Sequence, residues 1–423
     1  MCWWQQLRLL PPAVFITRIE FAEDSTGGVI VKRKAWAVMW VAYLAGVAIA
    51  LNQFKVPPVM QVLLDSLQVS MATGGWLMSV FSVAGVMFAL PAAFLLGRVG
   101  PKASGLVALG CTIVGSVIGA LAQGAGVLLV GRIIEGIGLA LIAVVAPAVI
   151  SMWFEPQERG LPMGIWSSWV PVATFVMYNI ADAIQKSFGW QGIWWLGTAV
   201  ALVAFVAYAA VVDVPDKGAA GEEKQKGAPV SMGEGLLSLN TWLLALAFCG
   251  FNFALIGYST WAPSYLSEFP GVGTAAANFY ASLPSLVLIP GGIFAGWVLD
   301  RTRNRKAVLT IALAAVTVVL IWCFKLDTFI VVPYMIGIGL ISSFVPSSTF
   351  TLAPETAPRP ELAGVALGVV SIGQNFGMLV GPPVIAKAAA GGAWVMGTYP
   401  VVIGCAVAIV AALLMRIRAG ASA

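Results

Sequence analysis

Gly136-Ile137-Gly138-Leu139 returns later in the chain as Gly337-Ile338-Gly339-Leu340, and Gly160-x3-Gly164-x2-Ser167 returns as Gly364-x3-Gly368-x2-Ser371. Both pairs lie inside long apolar runs and are separated by about half the chain. A repeat of that length in so apolar a sequence reads as two related helical bundles in a membrane, an architecture typical of transporters. Composition agrees. The 423 residues are 60% hydrophobic and 10% charged, whereas a soluble domain carries about a quarter charged residues. The bilayer must therefore act as solvent for most of this surface.

Twelve stretches are long enough to cross a bilayer, which takes about 20 residues each. They run over 35–62, 72–97, 103–123, 126–151, 160–184, 190–212, 239–266, 273–298, 306–324, 328–353, 361–388 and 392–415. The expected fold is all-α and integral to the membrane, with twelve transmembrane helices in two pseudo-symmetric six-helix bundles, 35–212 and 236–423. Residues 213–235, with Lys217, Glu222, Glu223, Lys224 and Lys226, have the composition of a flexible linker. Residues 1–34 lack the layout of a secretory signal and read as a tail, with a true start near Val29 or Val31 as the alternative.

Loop charges orient the bundle. Lys32, Arg33, Lys34, Arg98, Lys102, Arg159, Arg301, Arg303, Arg305, Lys306, Arg359, Arg416 and Arg418 gather at alternate ends, against Lys186, Lys325 and Lys387 at the others. That asymmetry predicts cytoplasmic termini and a cytoplasmic linker, in a bacterial inner membrane. The net charge of +5 forms no patch, so nucleic acid is not an expected partner. The chain has no histidine, which leaves proton relay to Asp or Glu. Its five cysteines have no framework spacing and are expected to be free thiols. No cofactor, metal site or enzyme machinery is expected. The expected partners are a small-molecule substrate, protons and the lipid, with the chain acting as a monomer.

Three charges fall inside spans, Lys55, Arg132 and Glu135, and each needs a cavity or a partner there. Arg132 and Glu135, three apart, share a helix face and can pair. A structural pair and a functional one are both open at this point. Asn52 lies three residues before Lys55 on nearly the same face, and the nearest acid in sequence is Asp65 in the following loop. That makes Lys55 and Asn52 a donor-rich patch, with snorkelling of Lys55 to the interface as the alternative. In the second half Tyr258, Trp261, Gln374 and Asn375 stand out as polar or amphipathic groups within spans. The four glycines Gly160/Gly164 and Gly377/Gly381 are read as close-packing positions between helices.

Two loops and one helix carry a resemblance. Gly97-Arg98-Val99-Gly100-Pro101-Lys102 follows span two, and Gly296-Trp297-Val298-Leu299-Asp300-Arg301-Thr302-Arg303-Asn304-Arg305-Lys306 follows span eight. Both resemble the G-x-x-x-D-R-x-G-R-[RK] loop of the major facilitator superfamily. Arg132-Ile133-Ile134-Glu135-Gly136-Ile137-Gly138 resembles its R-x-x-x-G-x-G motif. The general layout is similar to that of the superfamily's cyanate and nitroimidazole branch. Gly97 replaces the motif's Asp in the first loop, and span five lacks the G-P pair of the drug antiporters. The resemblance implies a secondary transporter working by alternating access, with spans one and four lining a central cavity. It implies gating roles for Arg98, Asp300 and Arg301. The residues add a candidate site: Lys55, Asn52, Arg132, Tyr258, Trp261, Gln374 and Asn375 for substrate, and Glu135 for proton coupling. Because Lys55 and Arg132 outnumber Glu135, the favoured substrate is an organic or inorganic anion. An exporter of neutral or amphipathic compounds and a non-transporting sensor of the same fold are the rival readings.

Overall fold

A continuous helix of 43 residues would be about 65 Å long, twice the apolar thickness of a bilayer. The segment Trp169–Val211 has that length and must fold back. In the computed structural model it does so at Gly189, where φ is +69° and a side chain would be strained. The structure describes residues 26–88, 91–155, 157–213, 232–302 and 304–416.

Among these residues ten helical runs are long and apolar enough to cross a membrane. Span one is α1 (Thr26–Gln53), then a 3-10 turn at Pro57–Val59 and α2 (Met60–Leu67). The turn falls at Pro57 and Pro58, because proline has no N–H to continue a helix. Span two holds α3 (Met71–Ser79) and α4 (Val83–Phe88). Next, α5 (Pro91–Ala120) breaks at Gly100, φ +81°, and supplies span three beyond the break. Span four is α6 (Ala125–Trp153). The fifth apolar run, Gly160–Val211, contains α7 (Gly160–Ser167) and α8 (Trp169–Val211) and supplies spans five and six on either side of Gly189. After α9 (Met232–Leu236) come α10 (Leu239–Ser267), α11 (Thr274–Arg301) and α12 (Arg305–Leu320), spans seven to nine. The 16 residues of α12 are too few to count among the ten runs. Span ten is broken at Ser343 into α13 (Val331–Ser342) and α14 (Phe344–Thr356). Spans eleven and twelve are α15 (Ala363–Ala388) and α16 (Trp394–Leu414). Ten runs thus become the twelve helices expected.

The glycines of the repeat explain part of the packing. A side chain at Gly136 would strike the backbone of Phe81 in span two, and one at Gly339 would strike Pro284 in span eight. Gly377 and Gly381 likewise let α15 lie against the backbone of α10 at Cys249 and Phe253. Gly160 and Gly164 do not behave as expected: nothing lies near the position of their missing side chains. They share the spacing of a packing motif but face open space, so spacing alone misread them.

Most of the linker, 214–231, lies outside the described residues, as do residues 1–25. The end of the stretch read as linker is helical. Glu234 in α9 pairs with Arg359 at 3.3 Å, and Gly235 packs on Val365, which anchors this turn to the second bundle. At the other end Asp213 receives Lys102 at 2.9 Å and Lys34 at 3.6 Å. The hydrogen bond from Lys102 holds its carboxyl below the usual carboxylate range.

The two ends of the molecule differ. At the end with the charge-rich loops, the ion pairs Lys32–Glu158 and Lys102–Asp213 stay within the first bundle. Arg305–Glu355 and Arg359–Glu234 stay within the second. In the opposite half the bundles are bonded to each other. Tyr178 donates to the Ser259 carbonyl, Asn179 to Ser282, Thr274 to Asp182, and Asn278 to the Pro58 carbonyl.

Candidate functional site

Lys55, Arg132 and Glu135 come together at the junction of spans one and four, and all three are fully buried. The Lys55 ammonium donates to Glu135 Oε1 at 2.6 Å, Asn52 Oδ1 at 2.8 Å and Ser116 Oγ at 3.0 Å. An ammonium has three protons, so every one is placed. Arg132 donates through Nη1 to Glu135 Oε2 at 2.7 Å and to the Asn52 carbonyl at 2.5 Å. Its Nη2 reaches the Gln53 carbonyl at 2.8 Å and its Nε the Leu77 carbonyl at 2.9 Å.

The backbone contacts have a local cause. Helix α1 ends at Gln53, which frees carbonyls of its last turn, and Pro57 has no N–H to offer the Gln53 carbonyl. A guanidinium presents several N–H groups in a rigid fork and can serve both the Asn52 and Gln53 carbonyls. Aromatic rings close the network. Phe81 lies 4.5 Å from the Arg132 guanidinium carbon and Trp194 lies 4.6 Å from the Lys55 nitrogen. Each is within cation–π range. Ser116 passes its own proton to the Trp194 carbonyl at 2.8 Å, which ties in span six.

The network corrects the reading of Lys55. Read as a cation with no acid in its own span and an anion still to find, it is already paired with Glu135, eighty positions away. Snorkelling is excluded by its complete burial. The i,i+3 pairing of Arg132 with Glu135 is present as expected. Two cations on one carboxylate leave the cluster a formal charge of +1.

The expected second-bundle residues are elsewhere. Tyr258 and Trp261 are fully buried in an aromatic cluster with Phe324, Tyr265 and Trp394. The Tyr258 hydroxyl points at the Met335 sulfur at 3.8 Å, and Trp261 Nε1 donates to the Pro382 carbonyl at 3.0 Å. Asn375 is half-buried, donates to its own helix at Ser371, and rests its amide on Gly85 of span two at mid-membrane depth. Gln374 is half-buried beside it. Of the gate residues, Asp300 is exposed and makes no bond to another described residue. Arg301 lays its guanidinium over its own helix's Trp297 at 4.1 Å. Arg98 is exposed at the charge-rich end.

Sequence reasoning missed Ser116, Trp194, Phe81 and Gln53, whose roles arise only where five spans meet. It also missed Thr274, Asn278 and Ser282, although their spacing of four residues was a readable signal.

A helical membrane protein of twelve spans with this loop pattern has an identifiable class. The family model described as Major Facilitator Superfamily matches residues 42–382, and the chain belongs to that superfamily. Over 180 residues the chain is 27% identical to an uncharacterized MFS-type transporter of Mycobacterium tuberculosis, covering 43% of this chain and 31% of that protein. It is 26% identical over 285 residues to the hexuronate transporter of Bacillus subtilis, covering 64% of this chain and 67% of that one. Its fold matches the crystal structure of a D-xylose-proton symporter with a TM-score of 0.71 at 16% identity, covering 90% and 97% of the two chains.

Proposed function

We propose that this protein is a secondary transporter of a small organic anion, with a sugar acid as the leading substrate class. The observation that carries the reading is the surplus positive charge buried between spans one and four. A unit charge about 10 Å from a bound anion, at an effective dielectric near 20, attracts it by roughly 1.7 kcal/mol. Since all three ammonium protons of Lys55 are engaged, the attraction acts through the field of the cluster and not through a direct bond. A relative named for hexuronate, a carboxylate sugar, supports the class.

Transport proceeds by alternating access of the two bundles, 35–212 and 236–423. The charge-rich end is the cytoplasmic one, in a bacterial inner membrane, so the bonded half described above is external. In this reading the present structure, with its bundles bonded in the external half, is open toward the cytoplasm. Asp300 is then a latch that engages when the cytoplasmic face closes. Glu135 is the proton-coupling group. A proton on its carboxylate raises the cluster from +1 to +2 and strengthens anion binding, and by linkage a bound anion strengthens proton binding. Proton and anion then travel together.

The test is ligand binding to purified protein, read by thermal shift and titration with galacturonate and with neutral galactose. Lys55→Ala, which takes the cluster to zero formal charge, is expected to weaken galacturonate binding at least tenfold, about 1.4 kcal/mol. Equal affinity for galactose and galacturonate in the wild type would overturn the anion reading.

A further inference from the structure

The opening turns of α11 carry Thr274, Asn278 and Ser282, each four residues from the next and therefore on one face. They span about 12 Å of helix, well under half the bilayer. Facing them on α8 stand Asn179, Asp182 and Lys186. The two rows interlock. Thr274 donates to Asp182, Asn179 donates to Ser282 at 3.1 Å, and Asn278 reaches across to the Pro58 carbonyl of span one at 3.2 Å. Asn278 and Ser282 are fully buried by this contact.

Membrane helices are joined both by small residues packed closely and by hydrogen bonds across the seam. A polar seam has a different property. When it parts, water replaces each bond, so separation costs little compared with the bond's strength in isolation. An apolar seam exposed to water would lose its burial with no such replacement. The one charged member is also provided for. Asp182 accepts from Lys186 at 2.7 Å on its own helix. When Thr274 departs, that lysine stays, and the carboxylate is not left alone.

We propose that the α8–α11 ladder, with Asp182 and Thr274 at its outer rung, is the reversible external gate of this protein, and that Lys186 serves the open state by keeping Asp182 compensated. This rests on the alternating-access reading but needs no assumption about the substrate.

The test measures distance without ligand. Spin labels at Ser66 near the end of α2 in the first bundle and Phe329 just before α13 in the second, both exposed at that end, report opening in lipid nanodiscs. Thr274→Ala with Ser282→Ala, which removes both ladder bonds without adding apolar surface to the seam, is expected to raise the long-distance population at least threefold over the wild type. Lys186→Gln is expected to lower it at least threefold. Movement in opposite directions is the signature, because loss of a merely structural contact would not favour the closed form. Asn179→Ala, a milder change in the ladder, serves if the double variant does not fold, and it too should raise the open population. Wild-type distributions in all the variants, or shifts in the same direction, would overturn the proposal. Because no anion is present, failure of the substrate reading would leave these distances unchanged.

Discussion

The two bundles join equivalent helices by opposite chemistry. In the first, Glu135 sits one residue before the Gly136 repeat and binds Lys55 of span one at 2.6 Å. In the second, Met335 sits two residues before the Gly337 repeat and meets Tyr258 of span seven at 3.8 Å, among aromatic rings. Both junctions are sealed from solvent. The second shows that such a junction can be sealed without a charge. Buried ion pairs are weak contributors to stability, since desolvation offsets much of their attraction. The first bundle's charges are therefore the ones that carry the proposed ligand role, while the second bundle's junction is built on packing.

The comparison can be broken most forcefully at Glu135. Glu135→Ala leaves two buried cations without a counter-ion, and a loss of about 3–5 kcal/mol of stability is expected. Thermal unfolding in detergent would read it as a large drop in Tm. In the second bundle Trp261→Phe removes one buried hydrogen bond to a carbonyl inside α15, for a loss of about 1 kcal/mol. Tyr258→Phe keeps the ring and loses only a weak contact to sulfur, so its unfolding midpoint should lie close to the wild type's, within about 0.5 kcal/mol. If Tyr258→Phe cost as much as Glu135→Ala, the two junctions would be energetically alike and the contrast would fail. Smaller still in stability, but sharper in function, is Asp300→Asn. The exposed carboxylate makes no bond to another described residue, so stability should stay close to the wild type's and galacturonate affinity within a few-fold of it, while transport in proteoliposomes slows. Unchanged transport would make the loop a connector.

Much of this was legible in the sequence. Span count, the repeat and the i,i+3 pair of Arg132 and Glu135 follow from hydropathy and helix period, which are local properties. The partner of Lys55 was not legible, because only the packing of spans one and four brings residue 55 to residue 135. For the same reason Tyr258 and Trp261 could be read as polar groups seeking a ligand, when Met335 and the Pro382 carbonyl already occupy them. Gly160 and Gly164 show the converse: a packing pattern with no helix against it.

The central claim is that the first bundle's cluster links a proton to an anion. Calorimetric titration of galacturonate in two buffers of different ionisation enthalpy, at one pH, counts the protons taken up per anion bound. Wild type should take up close to one proton from the buffer per anion when Glu135 enters the experiment ionised, and Glu135→Gln should bind the anion with none. Binding heats that are independent of buffer in the wild type would contradict the account.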